Sequence, residues 1–159
     1  MKQEPIRPTD DEARTLARRL LAHMRHASLG SLDPETGAPL VTRIAVQIDG
    51  QGAPVALLSG LAAHSRALIA DPRAGLLVTD EAASKGDAMT HARLSILVRA
   101  EQIATTPEIR EAWLARDPKA KVYIDLPDFR FWRLVPQSGL LNGGFGRAFK
   151  LAPADMLQG

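Results

Sequence analysis

The chain has 159 residues and a mass of 17.2 kDa, the size of a single domain. Hydrophobic residues make up 45% and charged residues 24%, a globular balance that excludes a largely disordered chain. Twenty Lys and Arg against eighteen Asp and Glu leave +2 with no dense basic run, so a surface built to neutralise a row of phosphates is not expected.

Residues 1–20 carry no apolar core behind their first basic residue, unlike a secretory leader, and a cytoplasmic protein is expected. No run nears the ~20 apolar residues that cross a bilayer, so no membrane partner is expected. A helical segment is predicted over about 9–27. Thr9 and Glu12 have the spacing of a capping box, and Asp10 and Asp11 suit the positive end of the helix dipole. Ala13, Leu16, Ala17, Leu20, Leu21 and Met24 then recur at helical spacing and give one core-facing stripe.

Residues of about 28–151 read as a barrel. A short strand over 27–32 is followed by the turn Asp33-Pro34-Glu35-Thr36-Gly37. Residues 39–48 are strand-like, Asp49-Gly50-Gln51-Gly52 is a hairpin signal, and 54–59 is the returning strand. Residues 60–71 read as a loop and short helix with Leu68 and Ile69 facing inward, closed by Pro72. Strands are predicted over 74–79 and 93–105, separated by a polar loop. Pro107 suits the first turn of a helix carrying Ile109, Trp113 and Leu114, with a further helical turn near 119–124. Residues 128–135 form a half-buried strand, and 139–151 a glycine-rich loop and last strand. Antiparallel strands with few, peripheral helices favour a small barrel, which leaves no exposed edges, over a doubly wound parallel sheet. The prediction is a single domain over 1–159, mainly β.

Chemistry concentrates in Leu57-Leu58-Ser59-Gly60-Leu61-Ala62-Ala63-His64-Ser65-Arg66. A strand end delivers a hydroxyl, a glycine permits close approach, and a helix begins with His, Ser and Arg together. A helix N-terminus favours an anion, and Arg, Ser and His add donors, so the segment is a candidate phosphate site. The alternative is an ordinary helix with an exposed Arg. Arg43 interrupts a largely apolar strand and faces either a cleft or solvent; a short hairpin register would bring it near Ser59. Gly143, Gly144 and Gly146 let backbone approach a ligand, but lack the context of a dinucleotide or Walker loop, and a bulged hairpin is the simpler reading. The chain has no cysteine, which excludes disulfides and thiolate metal sites. His23 and His26 have a metal-compatible spacing, but no third ligand accompanies them in the sequence, and no metal site is expected. No nucleophile elbow or Ser-His-Asp order is present, and no catalytic residue is assigned.

Arg43, the hairpin, Ser59, His64-Ser65-Arg66 and Asp71-Pro72-Arg73, in that order, resemble the pyridoxamine-phosphate-oxidase-like FMN-binding split β-barrel. Gly86-Asp87, His91-Ala92-Arg93-Leu94, Asp117-Pro118, Tyr123, Asp128-Phe129, Trp132-Arg133-Leu134 and Gly143-Gly144-Phe145-Gly146 resemble its haem-utilisation branch. The resemblance covers about 12–151. It implies a homodimer with two FMN sites at the subunit interface and no nucleic-acid partner. Ser59, His64, Ser65 and Arg66 would hold the flavin phosphate, Arg43 and the backbone of Ile44 would line the flavin, and Arg93 would reach in from the other subunit. It implies an FMN-dependent oxidoreductase of unknown substrate. The alternatives are a haem-binding or haem-degrading protein, with haem as ligand, and a flavin-free dimer scaffold. His64 stands where many members have Lys. Phe149 stands where pyridoxamine-phosphate oxidases carry a substrate-binding His, and no His follows His91 to serve as the C-terminal iron ligand of haem-degrading members.

Overall fold

The computed structural model describes residues 6–83, 85–144 and 146–158. The chain runs β1 (Ile6–Arg7), α1 (Asp11–His23), β2 (His26–Leu32), β3 (Pro39–Ile48), β4 (Pro54–Ser59), α2 (Ala63–Ala70) and β5 (Arg73–Thr79). It continues with β6 (Arg93–Ile103), α3 (Pro107–Arg116), β7 (Phe129–Asn142), β8 (Ala148–Leu151) and α4 (Pro153–Met156). Single turns of 3-10 helix lie at Ala88–Thr90 and Pro118–Val122. No helix among the described residues is long and apolar enough to cross a membrane.

Strands β7-β4-β3-β2-β5-β6 close on themselves through the β6–β7 pairing, and β8 and β1 extend the sheet beyond β7. The result is a closed six-stranded barrel with two extra strands and peripheral helices, the split-barrel architecture. β7 makes the split. Its first part pairs with β4 (Ser59 opposite Phe129) and its last part with β8 (Asn142 opposite Ala148), while β6 runs along its other side.

Alternation along the strands explains the core. Ala27, Leu29 and Ser31 of β2, Ile44 and Val46 of β3 and Leu94, Ile96 and Val98 of β6 point inward, and all are buried. Leu20, Leu21 and Met24, on one side of α1, join the same cluster. A second apolar cluster lies outside the barrel wall. There Trp113 of α3, with Ala120 and Ile124, covers Val55, Leu57 and Phe131 of β4 and β7, and Trp113 meets Phe131 edge-on at 5.5 Å.

Three expectations are corrected. The helix N-cap is Asp10, whose carboxylate accepts the Ala13 N–H at 2.8 Å. Thr9 does not cap; its hydroxyl donates to the Lys150 carbonyl and ties the chain start to β8. Ile69 does not face inward: it is 68% exposed, whereas Leu68 is 2% exposed. Adjacent residues stand about 100° apart on a helix, and a short surface helix buries only one stripe. Residues 139–142 belong to β7, which is 14 residues long, so the loop predicted from residue 139 begins only at Gly143. The glycines of that loop form the β7–β8 hairpin, closed by the Gly143 N–H on the Arg147 carbonyl at 2.8 Å. Phe145 lies outside the described residues.

Candidate site at the α2 corner of the split barrel

β3 and β4 pair from Ile48–Pro54 to Val46–Ala56. Carried on, this register would set Arg43 opposite Ser59, but no strand pairing joins the two strands there. Ile44 and Arg43 therefore lie where β3 has parted from β4. α2, which follows β4 directly, spans the opening: His64 Nδ1 is 3.0 Å from Thr42 Oγ1 on β3.

Ser59 is the hub of this corner. Its hydroxyl donates to Asp128 Oδ2 at 2.7 Å and accepts the Leu61 N–H at 3.2 Å. Its carbonyl accepts the Ser65 hydroxyl at 2.6 Å and the Ala62 N–H at 3.1 Å. Gly60 packs so closely that its N–H donates to the Asp128 carbonyl at 2.6 Å, and a Cβ there would stand 3.0 Å from that oxygen. Ala62 caps α2 without a side-chain acceptor, so the first N–H groups of the helix have no capping partner.

Ser59, His64, Ser65 and Arg66 are thus brought together, with different roles. Ser65 is 1% exposed and its hydroxyl is spent on the chain itself. Arg66 is exposed and makes no ion pair or hydrogen bond among the described residues. Half-burial pushes the His64 imidazole below its ordinary pKa, so the ring is neutral at physiological pH. Arg43 is exposed on the outer face of β3, and the Ile44 side chain is 3% exposed in the core, leaving only its backbone for a ligand. Arg93 is not part of the corner within one chain. It pairs with Thr79 and Asn142 at the far end of the barrel, and its guanidinium donates to the Met89 carbonyl at 2.9 Å. Sequence reasoning missed Thr42 as the partner of His64 and Asp128 as the partner of Ser59. Asp128 stood out only within the Asp128-Phe129 pair.

The family model CREG, beta-barrel matches residues 8–156. The chain belongs to the CREG beta-barrel family. A chloroplastic heme oxygenase of Arabidopsis thaliana, HOZ, is 31% identical over 114 residues, 71% of this chain and 34% of that protein. A heme binding protein from Mycobacterium smegmatis is 30% identical, with a TM-score of 0.82 over 95% of this chain and 61% of that one. The chain therefore spans about a third of the curated relative and under two thirds of the mycobacterial protein. A pyridoxinephosphate oxidase family protein from Clostridium acetobutylicum, at 13% identity and a TM-score of 0.70, shares the fold over 93% of this chain and 99% of its own. The expected split barrel is borne out, and the proteins this chain is similar to include haem-related ones.

Two further features of this CREG-family barrel bear on function. An open groove of about 680 Å³ runs over the outer face, lined by the small residues Ser28, Gly30, Gly75 and Ser95 and the apolar Leu77 and Leu97. Val41 is 70% exposed and Leu97 63%, so the face is apolar and uncovered in a single chain. The other histidines are engaged. His23 Nδ1 lies 2.8 Å from the Arg19 carbonyl, His91 Nε2 2.7 Å from the Lys85 carbonyl, and His26 Nε2 3.5 Å from Glu81. His23 lines a small pocket with Asp80 and Glu81, carboxylates the sequence did not bring to it, yet no group of three ligands able to hold a metal ion occurs among the described residues.

Proposed function

We propose that the protein is a haem-binding split barrel that works as a homodimer, with His64 as the protein ligand to iron. The state of His64 carries this reading. The ring is neutral, so a nitrogen lone pair is available to a metal. In the tautomer whose Nδ1–H donates to Thr42 Oγ1, that lone pair is on Nε2, which makes no hydrogen bond within the described chain. An imidazole oriented by a second partner through its other nitrogen is the usual arrangement of a metal-ligating histidine. The haem-related relatives support the same reading.

The residues present fit such a group through one donor, the His64 imidazole. Bound haem would supply a redox-active iron whose properties the axial ligand sets. The chain's part is to hold that iron. Thr42 fixes the imidazole, and the Ser59–Asp128 contact fixes the end of β4 from which α2 springs.

The apolar outer face supports the homodimer. Small residues let two sheets approach closely. An FMN-dependent oxidoreductase is the second reading. It is favoured by the uncapped start of α2 and the unpaired Arg66, which together suit an anion.

Absorbance titration with haem tests the proposal. Wild type is expected to give a saturable Soret shift, and His64→Ala to lose it while keeping its fold. An unchanged Soret titration in His64→Ala would remove the ligand assignment. Absence of any Soret shift, with FMN retained through desalting, would put the flavin reading first. Failure to bind either would leave the dimer scaffold.

A further inference from the structure

We propose that Asp128 sets the charge selectivity of the α2 corner and excludes a phosphate dianion from it, so that the chain discriminates against FMN relative to riboflavin. The inference rests on reading this corner as the ligand site, and it concerns which anionic groups that site admits.

The donors that a phosphate would need are committed to the protein. The Ser59 hydroxyl is given to Asp128 at 2.7 Å and the Ser65 hydroxyl to the Ser59 carbonyl at 2.6 Å. Asp128 makes no ion pair with a cation among the described residues, and the side-chain group bonded to its carboxylate is the neutral Ser59 hydroxyl. Its backbone is pinned, since the Gly60 N–H donates to the Asp128 carbonyl at 2.6 Å. Turning the carboxylate away would therefore cost the Ser59 bond.

A phosphate seated on Ser59 and the α2 N-terminus would lie within a few ångström of this carboxylate. Like charges at that range in a partly buried site repel strongly, and the repulsion grows with the charge of the ligand. Arg66, exposed and without an ion pair among the described residues, shares the corner with a carboxylate already present. A neutral ribityl chain meets no such penalty. Nor does a metal ion, for which a nearby carboxylate is favourable.

FMN and riboflavin share the same ring and differ by the phosphate, so the pair isolates the effect. Flavin fluorescence quenching is measured for wild type, Asp128→Asn and, as a control for general charge, Glu35→Gln on the exposed β2–β3 turn. Asparagine keeps an acceptor for the Ser59 hydroxyl, so the corner stays assembled. A second variant, Ser59→Ala, removes the held hydroxyl but keeps the carboxylate.

Wild type is expected to bind FMN no more tightly than riboflavin. Asp128→Asn should tighten FMN by about tenfold or more and leave riboflavin unchanged. Glu35→Gln and Ser59→Ala should leave FMN no better bound than riboflavin. Wild type binding FMN tenfold more tightly than riboflavin would overturn the inference, as would an unchanged ratio in Asp128→Asn. Failure of both flavins to bind Asp128→Asn would overturn it too, since lifting the exclusion would then admit nothing. The haem titration is read separately: an unchanged Soret titration in His64→Ala speaks against His64, and an unchanged flavin ratio in Asp128→Asn against Asp128.

Discussion

His64 couples the site to acid. Its folded-state pKa is depressed, so the unfolded chain holds more protons in the window below the usual imidazole value of about 6.5. Stability from this group is therefore present above that value and is lost as pH falls through the lowered one. Protons also compete with iron at Nε2, so haem affinity should fall over the same window. A Soret titration repeated at stepwise lower pH checks this, and a pH-independent affinity would speak against the ligand role. Gly60 is the other residue with a defined tolerance. Gly60→Ala forces a Cβ against the Asp128 backbone oxygen 3.0 Å away, and should cost about 1–3 kcal/mol in a urea melt. Ser59, His64, Ser65 and Arg66 could be found together in the sequence because eight residues of continuous chain hold them all. Thr42 and Asp128 could not, because they lie 22 and 69 residues from their partners, and only barrel closure brings them in.

At the level of elements, α3 is held by one large side chain. Trp113 is 3% exposed against Phe131, and Gln47 donates to its backbone carbonyl at 3.1 Å. Trp113→Ala should cost about 3–5 kcal/mol in chemical denaturation. It should leave the Soret titration of the folded fraction intact, because Trp113 belongs to the cluster outside the barrel wall. Strands β3 and β4 were legible to the residue, since β-branched runs bounded by Pro and a Gly-rich turn leave little choice. β7 was not. Pro136 and Gly139 interrupt its pattern, and both usually end a strand. Here Pro136 sits at a bulge: Val98 pairs with Pro136 and Leu97 with Ser138, so Gln137 is the extra residue and the missing N–H breaks no regular ladder. β1 and α4 were also missed. At two and four residues they carry no periodicity, and tertiary contacts define them: β1 pairs with β8, and Arg14 reaches Asp155 at 2.7 Å.

For the whole molecule, the uncovered outer face makes the strongest demand. Leu97→Asp puts a carboxylate into a groove lined mainly by small and apolar residues, with Lys150 the one charged residue on its wall. In the proposed dimer it should shift sedimentation to the 17.2 kDa monomer without unfolding the barrel. A mass already monomeric in wild type would remove the dimer. Composition and strand alternation were enough to read the barrel, but not this face, because an exposed Leu or Val on a strand looks the same in sequence whether water or a second sheet covers it.

β7 also has a consequence for how the barrel is made. β4, β6 and β8 all depend on it, and β4 must wait for a partner some 70 residues further along the chain. Until Phe129–Asn142 has been synthesised, β4 and β6 both present unpaired edges to other chains. Such non-local closure predicts slow folding and an early species prone to aggregate, so refolding yield should fall steeply with protein concentration. The single bulged strand that gives the barrel its split is therefore also the step at which its assembly is most exposed.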